Sequence, residues 1–104
     1  MDDALRELRA DFRARLPERV AAVAAALDAA RARPYEPAPL AEARRLAHAL
    51  KGTASSYGFA EIGDSLEAVE EALDALAGSP TDPRAAWQAI DAAMARARAA
   101  LEAG

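Results

Sequence analysis

IGDSLEAVEEALDAL, residues 62–76, places Ile62, Leu66, Val69, Leu73 and Leu76 at successive intervals of four, three, four and three. That spacing is the period of an amphipathic helix, with one apolar stripe and charged residues on the remaining faces. Glu61, Asp64, Glu67, Glu70, Glu71 and Asp74 share this helix and read as a solvated acidic face. A di-metal bundle site would instead need histidines and inward carboxylates contributed by several helices.

Working outward, the same period recurs on both sides. Leu40, Ala43, Leu46, Ala47, Leu50, Ala54 and Tyr57 form a preceding stripe, and Trp87, Ile90, Met94, Ala97 and Leu101 a following one. At the start of the chain, Leu5, Leu8, Phe12, Leu16, Val20, Val23 and Leu27 continue the pattern. Pro17 interrupts that first stripe, so a short helix is expected to lead into a longer one there, kinked or separated. RPYEPAP, residues 33–39, and AGSPTDP, residues 77–83, break the helices with prolines, while Gly58 in SSYGF suits a left-handed helix cap. Thr81 or Asp82 can cap the last helix, with Pro83 in its first turn. Short connections favour antiparallel neighbours, so the expected fold is all-α: an up-down antiparallel four-helix bundle with a short additional N-terminal helix.

Composition agrees. Of 104 residues 53% are apolar, yet 32 of the residues are alanine and only three are valine and two isoleucine. Bulky side chains and strand formers are scarce, and closely packed helices with small residues at their contacts follow. The length fits one domain spanning residues 1–104. A net charge of −4 argues against a nucleic-acid partner. The chain has no cysteine for a disulfide, thiol nucleophile or thiolate metal site. MDDALREL is unlike a signal peptide. The longest apolar run, VAAVAAAL at residues 20–27, falls short of the roughly 20 residues of a membrane span. A cytoplasmic protein with no membrane association is the expectation.

One stretch does not serve packing. AHALKGTASSYG, residues 47–58, holds the only histidine, His48, and the only lysine, Lys51, in a chain that uses arginine twelve times. At about 100° per residue, Leu46, Leu50 and Tyr57 project opposite His48, whereas Ala41, Arg44, Arg45, Gly52 and Ser55 lie near it. His48 therefore faces away from its helix's apolar stripe, as either a functional or an inert surface residue would. Gly52 tips the reading towards function. Glycine within a helix costs about 1 kcal/mol relative to alanine, and here it clears the turn beside the imidazole for a partner molecule. Lys51 supplies a flexible point charge for an anion on that ring, and Arg44 and Arg45 are expected to add a local positive region. An unperturbed imidazole titrates near ~6.5, so near neutral pH a histidine is available as a nucleophile towards phosphorus. Phosphoryl transfer asks mainly for in-line access and charge compensation.

HALKGTASSYGF, residues 48–59, resembles the phosphorylation motif of the histidine-containing phosphotransfer (HPt) domain family, His-x-x-Lys-Gly followed by small residues and a second glycine. His48, Lys51, Gly52 and Gly58 carry the match, and IGDSLEAVEEAL, with Leu66-Glu67, resembles the family's next helix. The resemblance implies a phosphocarrier in a bacterial multistep phosphorelay, without an ATP site or cofactor of its own. His48 would accept a phosphoryl group from a receiver-domain aspartate and pass it to another. Lys51 would balance phosphate charge and Gly52 would give access, with Ala41, Arg44, Arg45 and Ser55 as candidate partner contacts. The implied partners are response-regulator receiver domains, which would hold Mg2+, and a hybrid sensor histidine kinase. Tyr57-Gly58-Phe59 is also similar to the phosphoacceptor domain of chemotaxis-type kinases. The rival reading is a helical-bundle adaptor that is not phosphorylated and offers its apolar stripe to a partner helix.

Overall fold

The computed structural model describes residues 3–78 and 82–103. Four helices follow one another: α1 (Asp3–Ala32), α2 (Pro37–Ser56), α3 (Ala60–Ala77) and α4 (Pro83–Ala103). They pack as a ring in which α2 touches α1 and α3, and α4 touches α3 and α1. No strand occurs among the described residues. Arg44 of α2 binds Asp74 of α3, His48 binds Glu70, and Ser55 lies against Gly63, so α2 and α3 run in opposite directions.

The separate N-terminal helix expected from Pro17 is absent. α1 is one 30-residue helix with Pro17 inside it. Pro17 withholds an N–H from the Arg13 carbonyl, but it lies on the exposed face, where water can satisfy that carbonyl. The apolar stripe also keeps its phase across the proline, and Leu16 and Val20 are both buried. Packing on either side therefore outweighs the lost bond. At ~1.5 Å per residue α1 is about 45 Å long, against a longest molecular dimension of 49 Å. Its first turns overhang the shorter helices. Leu5 and Leu8, expected in the core, are accordingly half exposed.

The remaining stripes face the core, with Leu40, Leu46, Tyr57, Leu76, Trp87 and Leu101 only partly buried at its edges. Phe12, Leu16, Val20, Val23 and Leu27 of α1 and Ile62, Leu66, Val69 and Leu73 of α3 supply bulk, while α2 offers mainly Ala43, Ala47 and Ala54. Small residues on α2 let its backbone come close to its neighbours. Gly63 tightens the α2–α3 contact further, since a Cβ there would run into the Ser55 hydroxyl and touch the Lys51 carbonyl. This close crossing brings a histidine on α2 within reach of a carboxylate on α3.

Each helix end has a local cause. Pro37 opens α2. Asp82 caps α4 by accepting a hydrogen bond from the Ala85 N–H at 3.3 Å, whereas Thr81 lies outside the described residues. After α2, Gly58 takes φ +84°, the Phe59 N–H donates to the Ala54 carbonyl and the Gly58 N–H to that of Ser55. This pair of bonds is a Schellman cap, which needs the left-handed residue that glycine provides. The turn is then pinned to α1: Phe12 stacks on Tyr57 with centroids 4.8 Å apart, and the Arg9 guanidinium covers Phe59 and donates to the Tyr57 carbonyl. Fixing this turn fixes the register of α2 against α3.

Candidate functional site

His48 sits midway along α2 on the face turned from the core, with its side chain 61% exposed. Its Nδ1 lies 2.7 Å from Oε1 and 3.1 Å from Oε2 of Glu70. Glu70 comes from the middle of α3 and is itself buried. Lys51, one turn after His48, donates from Nζ to the same Oε1 at 3.4 Å and is 27% exposed. One buried carboxylate thus holds the only imidazole and the only ammonium side chain of the sequence.

The electrostatics follow from that contact. The hydrogen bond with His48 holds the Glu70 carboxyl below its ordinary value, the neighbouring charges of His48 and Lys51 reinforce it, and desolvation opposes it. Glu70 is therefore an ionised acceptor, and an ionised carboxylate can only accept. A neutral imidazole beside it must therefore carry its proton on Nδ1 and donate it to Glu70. Nε2 is left with its lone pair and has no hydrogen-bond partner among the described residues. Such a ring is oriented and polarised through one nitrogen and open at the other, the arrangement of a nucleophile held by a positioning group.

Glu70 corrects the sequence reading, which placed it on a solvated acidic face. Glu61, Asp64, Glu67 and Glu71 are exposed as expected, but Glu70 is buried under His48, and Asp74 pairs with Arg44. A signal for Glu70 was present: it lies one residue after Val69 and three before Leu73, at the edge of the apolar stripe, whereas the exposed acids project further round the helix.

The cations differ from expectation too. Arg44 is engaged by Asp74, and Arg45 forms a pair with Glu42 along its own helix. Each carboxyl is lowered, first by its hydrogen bond to the arginine. The local positive region expected from Arg44 and Arg45 is thus largely neutralised within the chain. Lys51 is likewise engaged at rest, by Glu70.

Gly52 is exposed, and a Cβ built there would meet nothing within 4 Å. No neighbouring helix demands a glycine at this position, so its clearance is on the outer surface beside His48. Ala41 and Ser55 are exposed on α2, before and after His48. Among the described residues no group of three or more His, Cys, Asp or Glu side chains is gathered to hold a metal, and no helix is long and apolar enough to cross a membrane.

Compared with models of known protein families, residues 7–100 match the one described as Hpt domain. No curated protein and no solved structure matches the chain.

Proposed function

Because the chain belongs to the Hpt domain family, whose domains serve histidine phosphotransfer in phosphorelays, we propose that His48 is its phosphoacceptor. The observation that carries this reading is the half-open imidazole, tied at Nδ1 to the buried Glu70 and unbonded at Nε2. Nε2 attacks the phosphorus of a receiver's aspartyl phosphate in line. The N–P bond forms as the bond from phosphorus to the aspartyl oxygen breaks, and the carboxylate leaves with that electron pair. No proton is needed on the leaving group. The ring becomes a phosphoimidazolium that keeps its Nδ1 proton, and its new positive charge faces the Glu70 carboxylate. The reverse step on a second receiver aspartate regenerates the neutral imidazole.

Glu70 acts here as a positioning residue. Lys51 has a double duty: it neutralises part of Glu70 at rest, and its flexible stem lets the ammonium turn towards the phosphoryl oxygens once they arrive. The open surface at Gly52 admits the receiver's active site, and the receiver brings its own Mg2+. A hybrid sensor histidine kinase would load the first receiver, and the cytoplasm is where such a relay would operate.

The test is incubation with receiver domains loaded by acetyl phosphate. Acid-labile phosphate on the protein is expected, and His48→Gln should abolish it. Equal labelling of that variant, or none of the unsubstituted protein, would overturn the assignment and leave the unphosphorylated adaptor as the reading.

A further inference from the structure

Two glycines stand inside helices among the described residues, Gly52 in α2 and Gly63 in α3. Apart from proline no residue weakens a helix more, and this chain uses alanine 32 times. Gly52 clears outer surface beside His48, but Gly63 is buried. A Cβ at position 63 would overlap the Ser55 hydroxyl and stand 3.6 Å from both the Lys51 carbonyl and the Ser55 Cβ. Its cause is therefore inside the molecule, at the contact between α2 and α3.

Gly63 shares an edge of α3 with Glu70. Seven residues are two turns, so the pair lies on one face, and Ser55 stands seven residues after His48 on α2 in the same way. Arg44–Asp74, His48–Glu70 and Ser55–Gly63 are rungs of one antiparallel ladder, in which α2 advances by four and then seven while α3 retreats by four and then seven. Side chains span the gap at the first two rungs. At the third, one hydroxymethyl is all that separates the two backbones.

This third rung is about 10 Å along the helices from the reacting one. The Nδ1 of His48 is 2.7 Å from Oε1 of Glu70. Such a bond is lost beyond about 3.2 Å, so the helices can part by roughly half an ångström before Glu70 loses the ring. The hydroxyls nearby underline the difference in role. Thr53 and Ser56 turn theirs back onto the Ala49 and Gly52 carbonyls of their own helix, whereas that of Ser55 lies over Gly63.

Resting on the phosphoacceptor reading of His48, we infer that Gly63 is a positioning residue for the reaction: with Ser55 it sets the α2–α3 spacing at which Glu70 holds Nδ1 and leaves Nε2 to the phosphorus. Ser55, expected from the sequence as a partner contact, then acts within the molecule.

Phosphoramidate is small enough to reach Nε2 without docking, so labelling by it reads the chemistry alone. Gly63→Ala needs only a turn of the Ser55 hydroxyl and should label within about twofold of the parent protein. Gly63→Val, stiff at χ1, should part the helices and lower labelling about fivefold. Its imidazole nitrogen shifts should show the Nδ1–H form losing dominance. In a Glu70→Gln background the same valine should change labelling by no more than about twofold, because the charged contact it disturbs is already gone. With a phosphorylated receiver as donor, the limiting rate should fall while the half-saturating concentration stays within about twofold. Labelling of Gly63→Val within twofold of the parent overturns the inference, as does an equal fall in both backgrounds. A raised half-saturating concentration with an unchanged limiting rate overturns it too, and returns Ser55 to the partner's footprint. If circular dichroism finds Gly63→Val unfolded, Gly63→Ala combined with Ser55→Val takes its place with the same expectations and refutations, since it puts the branched side chain on the exposed side of the rung. If the unsubstituted protein is labelled by neither phosphoramidate nor a receiver, the phosphoacceptor reading falls first and this one with it.

Discussion

Replacing Glu70 by glutamine removes a charge and almost no volume. The side chain is 10% exposed and faces the Nδ1 of His48 at 2.7 Å, and an amide oxygen can still accept that proton. What changes is the response to the charge that develops on the ring as the N–P bond forms. A net hydrogen bond to a charged group contributes about 1.5–3 kcal/mol and a neutral one about 0.5–1.5 kcal/mol. The full Coulomb gain between imidazolium and carboxylate is not available, because the ring is 61% exposed and water screens it. A loss of about 1–1.5 kcal/mol in the transition state remains, which is roughly a tenfold slower reaction. Lys51, freed from Glu70, recovers part of this by approaching the phosphoryl group, so about fivefold to twentyfold is expected. The assay is phosphoramidate labelling of His48 followed by 31P NMR, with circular dichroism to confirm the helices. Nitrogen shifts of the imidazole supply a second readout: the Nδ1–H form should dominate in the parent protein and lose its dominance in Glu70→Gln. Labelling within twofold of the parent, with an unchanged tautomer, would refute the positioning role and reduce Glu70 to packing.

Acid should destabilise the bundle through the same carboxylate. The folded state holds Glu70 below its ordinary 4.5 and Asp74 below its ordinary 3.8, so it binds fewer protons than the unfolded chain. Their contribution is complete above those ordinary values and is lost as pH falls through the lowered folded ones. The urea midpoint should therefore drop below pH 4.5, with a shallower drop in Glu70→Gln; parallel curves for the two proteins would contradict this. Gly52→Gln should leave folding intact or raise stability by up to about 1 kcal/mol through helix propensity, since a Cβ there meets nothing within 4 Å. It should slow transfer from a receiver by about tenfold or more, the scale of a blocked contact at an interface centre, and leave phosphoramidate labelling nearly unchanged. Equal receiver transfer would remove the case for Gly52 as an opening for a partner.

What the sequence reveals here is set by how far each signal depends on other helices. The stripes of α2, α3 and α4 are properties of single segments, and their buried residues follow the period read from them. His48 is legible for the same reason, because projecting α2 alone turns it away from Leu46 and Leu50. Pro17 misleads because a proline's cost depends on whether its face meets solvent, although the unbroken phase from Leu16 to Val20 already pointed to one helix. Leu5 and Leu8 mislead because nothing within α1 says where its neighbours end. Glu70 needs more than its own helix. Its position beside the apolar stripe makes it eligible for burial, but its partner is fixed only by the register of α3 against α2. That register comes from distant residues: the Schellman cap at Gly58, the Arg9 and Phe12 contacts that hold the turn, and Gly63 under Ser55. Once it is set, two residues four apart on α2, Arg44 and His48, meet two residues four apart on α3, Asp74 and Glu70. Both elements carry a four-residue spacing and run in opposite directions, so a slip of one turn would offer His48 to Asp74 or leave it without a partner. The reactive geometry of the imidazole is thus built by the fold's register as much as by the motif around it.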